Sequence, residues 1–466
     1  MSFILYDIIF LAIFALFAIS FISRNKKGLK RQGWIFLYHA KWGLTLMDRW
    51  ARKYRRILKP LQYVIVIVGV ILLGAMSWLL VTTVYDYVTS PFLAKALKIP
   101  PLLPLFPYFP QLFNIESIFP PFYFTYFLVA IAIVAITHEF SHGLFARLNN
   151  VRIKSTGVAF FGPFFGAFVE QDDRDMKKIR KFPQMAILAA GVFANVLMTI
   201  LFGLILWGFF ALSFAPAGVN FNTYTPAIVN VSAITSIGGV PVAHVDFISI
   251  NDSLIAFNVG ETRFFALGSA LKTAFANEVP AITVYDDAPA INARLSGVIL
   301  SIDGRPTLSI AELRAAIASK RPGQTIVVTT REGDADFDHS ITLADRDGNA
   351  YLGIGISKPS QSGFKGFVSS VIFKIKDPYI YYAPTWGGDF AWFVYYLLWW
   401  VFMINLLVAL FNMLPLGMLD GGRFFYLAVW SITRRELWGK RAFKIASWFF
   451  IALLALMMVR WVFIFF

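Results

Sequence analysis

The chain has 466 residues, of which 58% are hydrophobic, 17% aromatic and only 15% charged. With a mean hydropathy of +0.65, this composition is typical of a polytopic membrane protein and excludes an ordinary soluble enzyme. The absence of cysteine excludes disulfides, thiolate metal ligands and a thiol nucleophile. Much of the net charge of +15 lies in one segment beside hydrophobic runs, which favours an anionic membrane surface over nucleic acid as its partner.

Residues 3–22 predict a first membrane-spanning helix, because the run is too long for a signal peptide and lacks a basic start and a small-residue cleavage site. Residues 24–59 contain twelve Lys or Arg, one acidic residue (Asp48) and interleaved aromatic residues. By the positive-inside rule this segment is cytoplasmic, and we expect it to form a helix lying on the lipid headgroups, with His39 as an interfacial side chain. A second span is predicted at residues 61–84.

The proline-rich loop that follows cannot be helical throughout, and we expect it outside the cytoplasm. The third span lies in the apolar run of residues 122–146 and contains the sequence His138-Glu139-Phe140-Ser141-His142. In a helix, residues i and i+4 lie one above the other, so His138 and His142 present two nitrogen ligands to one metal ion, for which Zn²⁺ is the best fit. Glu139 is placed to take a proton from a water molecule on that metal. Ionisable residues are costly within hydrocarbon, which favours a functional site here over simple packing.

Residues 155–170 alternate small, aromatic and β-prone residues around Gly162-Pro163 and Gly166, which predicts a β-hairpin. Non-helical backbone at membrane depth is tolerated only where it is buried in protein or lines a cavity, so we expect this hairpin to border the metal site. A plain cytoplasmic loop is the alternative. The fourth span, residues 183–214, contains Asn195, which needs a hydrogen-bond partner in hydrocarbon.

Residues 216–362 are more polar and contain no spanning run, which predicts a soluble domain on the outer face. Their second half reads strand, strand, helix, strand and resembles a PDZ domain, with residues 298–304 as a core strand and turn and residues 309–319 as the helix beside the peptide groove. Residues 234–242 echo the same strand-and-turn pattern, so one PDZ domain with an insertion and two degenerate copies both stay open. His244 and His339 are expected to be ordinary surface histidines.

The fifth span, residues 390–413, leads into a segment that ends in Asp420-Gly421-Gly422. Pro415 cannot continue a regular helix and the two glycines permit unusual backbone angles, so Asp420 can turn back toward the protein. A catalytic Zn²⁺ usually keeps three protein ligands and one open position, and Asp420 is the best candidate for the third ligand. A sixth span runs from residue 445 to the end, which places both termini outside.

The sequence resembles the site-2 protease family of intramembrane metalloproteases, whose members combine HExxH on one transmembrane helix with N-x-x-P-x-x-x-x-D-G on a later one. Gly191 and Asn195 are similar to the family's G-x-x-x-N, and residues 166–169 are similar to a segment of its sterol-pathway members. The resemblance covers residues 122–214 and 388–430. The residues that match the two main motifs are His138, Glu139, His142, Asn412, Pro415, Asp420 and Gly421.

The resemblance implies hydrolysis of a peptide bond within or near the membrane-spanning helix of another protein, in regulated intramembrane proteolysis. The two histidines and Asp420 would bind zinc, and Glu139 would act as general base and then as general acid. Asn195 and Asn412 would hold the substrate or polarise the scissile carbonyl. A helical substrate must unwind before attack, and the hairpin at residues 155–170 could add the unwound segment as a strand.

The expected architecture is a polytopic α-helical membrane protein with about six transmembrane helices, a membrane-associated β-hairpin and an extracytoplasmic PDZ-like α+β domain. The expected location is the cell membrane, with the active site toward the cytoplasm. The expected partners are a membrane-spanning protein substrate, the lipid bilayer and a peptide end at the PDZ-like domain, with no nucleic acid. The predicted segments are 1–85 (transmembrane hairpin with the basic segment), 86–121 (proline-rich loop), 122–215 and 363–466 (two halves of the catalytic membrane core) and 216–362 (PDZ-like domain).

Two alternatives differ in the site they require. A membrane-anchored zincin acting on soluble or prenylated substrates would take its third ligand from an E-x-x-x-[DE] motif on a later helix, and no span after residue 146 contains one. A transporter or scaffold with an ion-binding polar cluster would have repeated hydrophobic halves, and no convincing repeat is present.

Overall fold

The computed structural model of the chain describes residues 3–25, 29–33, 35–89, 105–113, 115–116, 119–161, 164–247, 250–333, 335–356 and 376–465. The chain divides into two compact units. The first unit comprises Met1–Phe209 and Asp389–Phe466, and the second comprises Phe210–Gly388. The finer domain boundaries predicted from the sequence stay predictions.

The helices are numbered in chain order through both units. They are α1 (Phe3–Arg24), α2 (Leu44–Lys53), α3 (Arg55–Thr89), α4 (Phe109–Leu112), α5 (Phe124–Leu148), α6 (Asp173–Lys178), α7 (Lys181–Ser213), α8 (Gly268–Ala276), α9 (Pro289–Asn292), α10 (Ile310–Ala318), α11 (Asp389–Phe411), α12 (Asp420–Thr433) and α13 (Glu436–Phe465). Two short 3-10 helices occur at Val231–Ala233 and Val242–His244.

The strands are numbered in the same way. They are β1 (Leu29–Gln32), β2 (Ile35–Ala40), β3 (Ile153–Phe161), β4 (Phe164–Gln171), β5 (Phe214–Asn220), β6 (Thr223–Tyr224), β7 (Pro226–Asn230), β8 (Ser236–Ile237), β9 (Val240–Pro241), β10 (Leu254–Val259), β11 (Thr262–Leu267), β12 (Ala281–Asp286), β13 (Val298–Ile302), β14 (Arg305–Pro306), β15 (Thr325–Glu332), β16 (Ala335–Thr342), β17 (Ala344–Arg346), β18 (Asn349–Tyr351), β19 (Ile354–Gly355) and β20 (Ile380–Pro384).

Six helices of the described chain are long and apolar enough to cross a membrane, namely α1, α3, α5, α7, α11 and α13. These helices coincide with the six predicted spans. However, α3 and α13 begin earlier than predicted, at Arg55 and Glu436. Their first turns contain charged residues that the hydropathy pattern excludes, yet these residues continue the backbone hydrogen-bonding of the apolar run.

The prediction of a headgroup-bound helix is wrong for Leu29–Gln32 and Ile35–Ala40, which form the paired strands β1 and β2. The antiparallel sheet has the strand order β1-β2-β3-β4, and β2 pairs with β3 from Phe36↔Phe160 to Ala40↔Thr156. Aromatic and β-branched residues of β2 suit a pleated surface, and the pairing partner lies over a hundred residues away, so local charge patterning could not reveal it. Only α2 is amphipathic as expected, with Met47 and Ala51 buried and its basic residues exposed.

The predicted hairpin at residues 155–170 is present as β3 and β4, and β4 forms an edge of the sheet. Gly157 allows the close approach of β2, because a Cβ there would lie 2.0 Å from the Tyr38 carbonyl oxygen and 2.8 Å from the Phe168 ring. The other edge of β4 faces the helix that contains the HExxH sequence, and the Val169 N–H on that edge donates to Glu139 of this helix.

The helices around that sequence pack through a continuous buried cluster that includes Ile65 of α3, Phe145 of α5, Ile187 of α7 and Phe424 of α12. In lipid, helix association depends on close van der Waals contact rather than on hydrophobic burial. Gly69 of α3 permits this contact, because a Cβ there would lie 3.0 Å from the Ala189 Cβ. The packing holds four helices in one arrangement around the polar site.

Helix α5 is fixed at its first turn by a carboxylate from α1. Asp7, only 2% exposed, accepts hydrogen bonds from the Phe124 N–H (2.6 Å), the Thr125 N–H (3.0 Å) and the Thr125 hydroxyl (2.5 Å), and from the Tyr108 hydroxyl (2.6 Å). The free N–H groups and the positive end of the helix dipole favour an anion at this position. The first span is therefore an integral part of the site's scaffold.

The second unit contains two six-stranded arrangements, each with its own core. The first has the strand order β7-β12-β11-β10-β8-β9 and packs against α8, while the second has the order β16-β15-β13-β5-β20, with β14 paired to β13, and packs against α10. Both contain a tight two-residue hairpin turn with positive φ, at Gly238-Gly239 and at Asp303-Gly304. The echo at residues 234–242 is the turn that joins β8 and β9 in the first of these sheets, and the choice between one domain with an insertion and two copies stays open.

Candidate metal centre

His138 and His142 occupy successive turns of α5 and point the same way. Their Nε2 atoms are 3.0 Å apart and their rings are nearly perpendicular, with centroids 4.6 Å apart. Both side chains are buried, at 7% and 6% exposure. The i, i+4 spacing thus brings two ring nitrogens to one point inside the helix cluster.

Asp420 opens α12, and its Oδ2 lies 3.2 Å from His138 Nε2 and 3.3 Å from His142 Nε2. The preceding turn depends on the two glycines that follow. A Cβ on Gly421 would lie 2.3 Å from the Met413 carbonyl carbon, and one on Gly422 would lie 2.1 Å from the Leu416 oxygen. Without side chains at these positions, the chain folds back tightly enough to return the carboxylate to α5.

The three atoms fit a tetrahedral metal ion. Ligands about 2.0–2.1 Å from Zn²⁺ in tetrahedral geometry are about 3.3 Å from one another, and the three separations here are 3.0, 3.2 and 3.3 Å. Within the described residues, His138, His142 and Asp420 form the group of potential metal ligands. Two neutral imidazoles and one carboxylate are a donor set that suits zinc.

The other ring nitrogens support this interpretation. His142 Nδ1 is 2.7 Å from the Ile187 carbonyl of α7, which can only accept, so the proton is on Nδ1 and the Nε2 lone pair is free. His138 Nδ1 is 3.0 Å from the side-chain amide of Asn195, which is fully buried. With Nδ2 facing the ring, Asn195 Oδ1 is buried without a partner. The opposite amide orientation lets Oδ1 accept from His138 Nδ1–H and frees Nε2 for a metal.

Helix α7 can approach this closely because residue 191 is glycine. A Cβ there would lie 2.4 Å from His142 Nε2 and 2.8 Å from two carbons of the His138 ring. Any larger residue would displace the ligands from their common point.

Glu139 is half-buried beside the metal group and accepts a hydrogen bond of 2.9 Å from the Val169 N–H. Val169 belongs to the edge strand β4, so this hydrogen bond joins the helix of the two histidines to that edge. Asn412 is half-buried, and its backbone carbonyl accepts from the Gly421 N–H at 2.8 Å. Its observed contact thus supports the turn that delivers Asp420.

Two of the three remaining described histidines bond elsewhere, and His244 is exposed. His39 Nδ1 lies 2.8 Å from the Ser155 hydroxyl, and His339 Nε2 lies 2.9 Å from the Thr330 hydroxyl. Sequence reasoning missed the contacts made by Asp7, Ile187 and Val169 to α5. Two of these are backbone groups, which leave no mark in a sequence, whereas an acid in the first apolar span was a signal that could have been followed.

The fold and this site together define a multi-pass membrane protein with a site suited to a metal ion. The model of Peptidase family M50 matches residues 126–457, and the chain belongs to this family, the site-2 protease family of membrane metallopeptidases. It is 36% identical over 72 residues to the uncharacterized protein MJ0971 of Methanocaldococcus jannaschii, a stretch that is 15% of this chain and 20% of that protein.

Among solved structures, the chain is similar to the crystal structure of the PDZ domain of an SdrC-like protein from Listeria monocytogenes. The identity is 32%, the TM-score is 0.14, and the similarity covers 15% of this chain and 75% of that one. In the second unit, a groove of about 150 Å³ lies between α10, at Leu313 and Ile317, and the chain at Leu352–Ile354.

Proposed function

We propose that this protein is a zinc endopeptidase that hydrolyses a peptide bond in or near the transmembrane segment of a membrane protein, as a step of regulated intramembrane proteolysis. The observation that carries the proposal is the meeting of three ligand atoms, 3.0–3.3 Å apart, with a glutamate adjacent to the first ligand. This group lies on helices long and apolar enough to cross a membrane. Family membership supports peptide hydrolysis as the chemistry.

His138, His142 and Asp420 would hold Zn²⁺ through two Nε2 atoms and one Oδ2 atom. The bound ion would supply a water nucleophile of lowered pKa and a Lewis acid for the scissile carbonyl. The chain supplies the orientation of the ligands. Ile187 and Asn195 fix the two imidazoles in the tautomer that leaves Nε2 free, and Gly191 leaves room for both rings.

Glu139 is the proton carrier of the proposed reaction. It is next to a ligand in the sequence, and its Oε2 is held by the Val169 N–H. This carboxylate takes the proton of the attacking water and delivers it to the departing amine, because one group can serve as base and then as acid when it is within reach of both atoms.

The outer edge of β4 is the proposed binding site for the unwound segment of the substrate. A helical substrate hides its carbonyls in i to i+4 hydrogen bonds and must unwind before attack. An unwound segment can form a new strand against β4. Because the N–H of Val169 faces Glu139 rather than β3, a strand added along this edge passes directly beside the proposed base.

The two asparagines have different proposed roles. Asn412 is proposed to hold the substrate or to donate to the scissile carbonyl. Asn195 was expected to do the same, but its contact with His138 supports a role in positioning that ligand. Contact with the substrate stays the alternative role of Asn195, and a direct test must distinguish it from positioning of His138.

We further propose a location in the cell membrane with the metal group toward the cytoplasm and the second unit outside. The basic residues that flank α2, α6 and the start of α13 support this orientation. The groove beside α10 is the proposed site for a peptide end, since it is bounded by a helix and a short strand.

The test uses full-length protein in liposomes with a single-span model substrate, and it maps the cut by mass spectrometry while zinc is measured in parallel. The wild type is expected to cut within or near the span, and His142→Gln is expected to lose both zinc and cleavage. His339→Gln is the matched control and should keep both. A cut confined to soluble segments would support the membrane-anchored zincin, and no cleavage with an intact metal would support the ion-binding alternative.

A further inference from the structure

A cavity that the metal group does not line lies between residues 177–184, at the start of α7, and the side of α12. Its volume is about 780 Å³, within the usual range of small-molecule sites. Four cations line it: Lys177, Arg180, Lys181 and Arg423. The aromatic residues Tyr426 and Trp430 form its apolar wall.

The positive charge of this cavity is poorly compensated. None of Lys177, Arg180 and Lys181 forms an ion pair within 4.0 Å with a described carboxylate. Arg423 lies 3.8 Å from Asp173, but both side chains are largely exposed, so the pair contributes little. The one acidic lining residue, Glu436, is bound to Lys440 at 2.8 Å and also interacts with Lys181 at longer range, so one carboxylate is shared between two cations. Several like charges directed into one concave space favour an anion that several donors can reach together.

The position of the cavity indicates which anion it accepts. It lies where two candidate membrane spans begin, α7 at Lys181 and α13 at Glu436. Lys181 Nζ is 4.1 Å from the centroid of the Trp430 ring, and tryptophan is enriched at the level of lipid headgroups. Nearby, Ile432 is 82% exposed and Leu437 is 57% exposed. A phosphate with attached acyl chains suits this combination, because its head meets cations while its tails meet exposed apolar side chains.

We propose that this cavity binds the phosphate of an anionic phospholipid headgroup and thereby couples lipid composition to the metal centre. The bound phosphate would link Arg180 and Lys181, at the start of α7, to Arg423 of α12. Helix α7 also contains Gly191 and Asn195, which contact the two histidines, whereas α12 begins at Asp420. Headgroup binding would therefore hold α7 and α12 in a fixed position relative to each other, and these two helices position the candidate ligands. The regulatory part of this inference rests on the proposed peptidase function, and the binding part does not.

Binding is tested with full-length protein in phosphatidylcholine nanodiscs, with and without phosphatidylglycerol, by counting retained lipids in native mass spectrometry. Wild-type protein should retain one phosphatidylglycerol. The double variant Arg180→Gln with Arg423→Gln should bind it at least about tenfold more weakly. The matched control, Arg55→Gln with Arg56→Gln, removes two exposed cations from the start of α3 and should bind as the wild type does. Equal binding by all three proteins, or equal loss in both double variants, overturns the site.

Two further experiments test whether the phosphate belongs to a lipid or to a soluble molecule, and whether the Gln variant loses binding through misfolding. Free glycerol phosphate should not compete with the lipid at equal concentration, and efficient competition would make this a soluble-phosphate site. Replacing both Arg180 and Arg423 with Lys keeps the charge and should restore most of the binding. If this Lys variant binds no better than the Gln variant, charge complementarity is not the cause of binding and the proposal fails.

Regulation is tested by the cleavage rate of the single-span substrate in the same nanodiscs. Phosphatidylglycerol should raise the rate for the wild type and for the Arg55/Arg56 control, but not for the Arg180/Arg423 variant. If all three proteins respond equally, the regulatory proposal is wrong although cleavage is intact. If no protein cleaves while the lipid still binds selectively, the proposed function fails and the headgroup site stands.

Discussion

At the residue scale, Asn195 separates positioning of a ligand from contact with the substrate. Because its amide meets His138 Nδ1 at 3.0 Å, we expect Asn195→Ala to weaken zinc binding by about 10–100-fold, the usual effect of losing such a support. Asn195→Asp keeps an acceptor and should retain more of the affinity. The measurement is zinc competition against a chelator. A variant that binds zinc normally but cleaves slowly would instead support the substrate role.

Gly191 gives a second residue-scale prediction. A Cβ there would lie 2.4 Å from His142 Nε2, so Gly191→Ala should displace the ligand and abolish most zinc binding. Gly208 in the same helix has open space at the corresponding point, with no atom within 4 Å. Gly208→Ala is therefore the matched control and should keep a full complement of zinc. Normal zinc content in Gly191→Ala would mean that the helices separate easily, contrary to the packing described above.

At the element scale, α1 should stabilise α5 through one carboxylate. Asp7→Ala leaves the buried N–H of Phe124 and the part-buried N–H of Thr125 without this acceptor, and we expect it to lower the free energy of unfolding in detergent by about 3 kcal/mol. Asp48→Ala, which removes a partly exposed ion pair with Arg147, should cost less than about 1 kcal/mol. Equal effects of the two substitutions would contradict the capping role of α1.

The edge of β4 gives the second element-scale prediction. Val169 directs its N–H to Glu139, so Ala167, two residues earlier, directs its N–H away from β3 as well. Ala167→Pro should therefore remove a hydrogen bond to an added substrate strand while sparing the β3–β4 ladder, and slow cleavage by about tenfold. Ala167→Val keeps the N–H and is the control. Wild-type cleavage by the proline variant would exclude strand addition at this edge.

At the scale of the whole molecule, local patterns predicted the spans, the hairpin and the three residues that the structure brings together as candidate metal ligands. Hydropathy marks helices, the i, i+4 spacing of His138 and His142 marks a shared face, and helix breakers mark the turn before Asp420. The strands β1 and β2 were missed because they depend on pairing with β3, far along the chain. Likewise, Asp7 acts on a helix over a hundred residues later, and no local rule reveals such a contact.

The folded chain also brings together residues from helices that sequence patterns describe one at a time. Residues of α5 and α7 precede the second unit in the chain and those of α12 follow it, yet they meet within 3.3 Å at the metal group. Together they bring three candidate metal ligands to one point and place beside them the groups that would orient the ligands. This convergence is the physical basis of the proposed peptidase activity.

The most direct measurement compares wild-type protein with Glu139→Gln for zinc content and for cleavage of a reconstituted single-span substrate. Glutamine keeps an acceptor for the Val169 N–H but cannot take the proton, so the variant should bind about one zinc per chain and cut nothing detectable. The wild type should bind the same amount and cut. Absence of zinc from the wild type, or equal cleavage by the variant, would contradict the assignment of ligands and base.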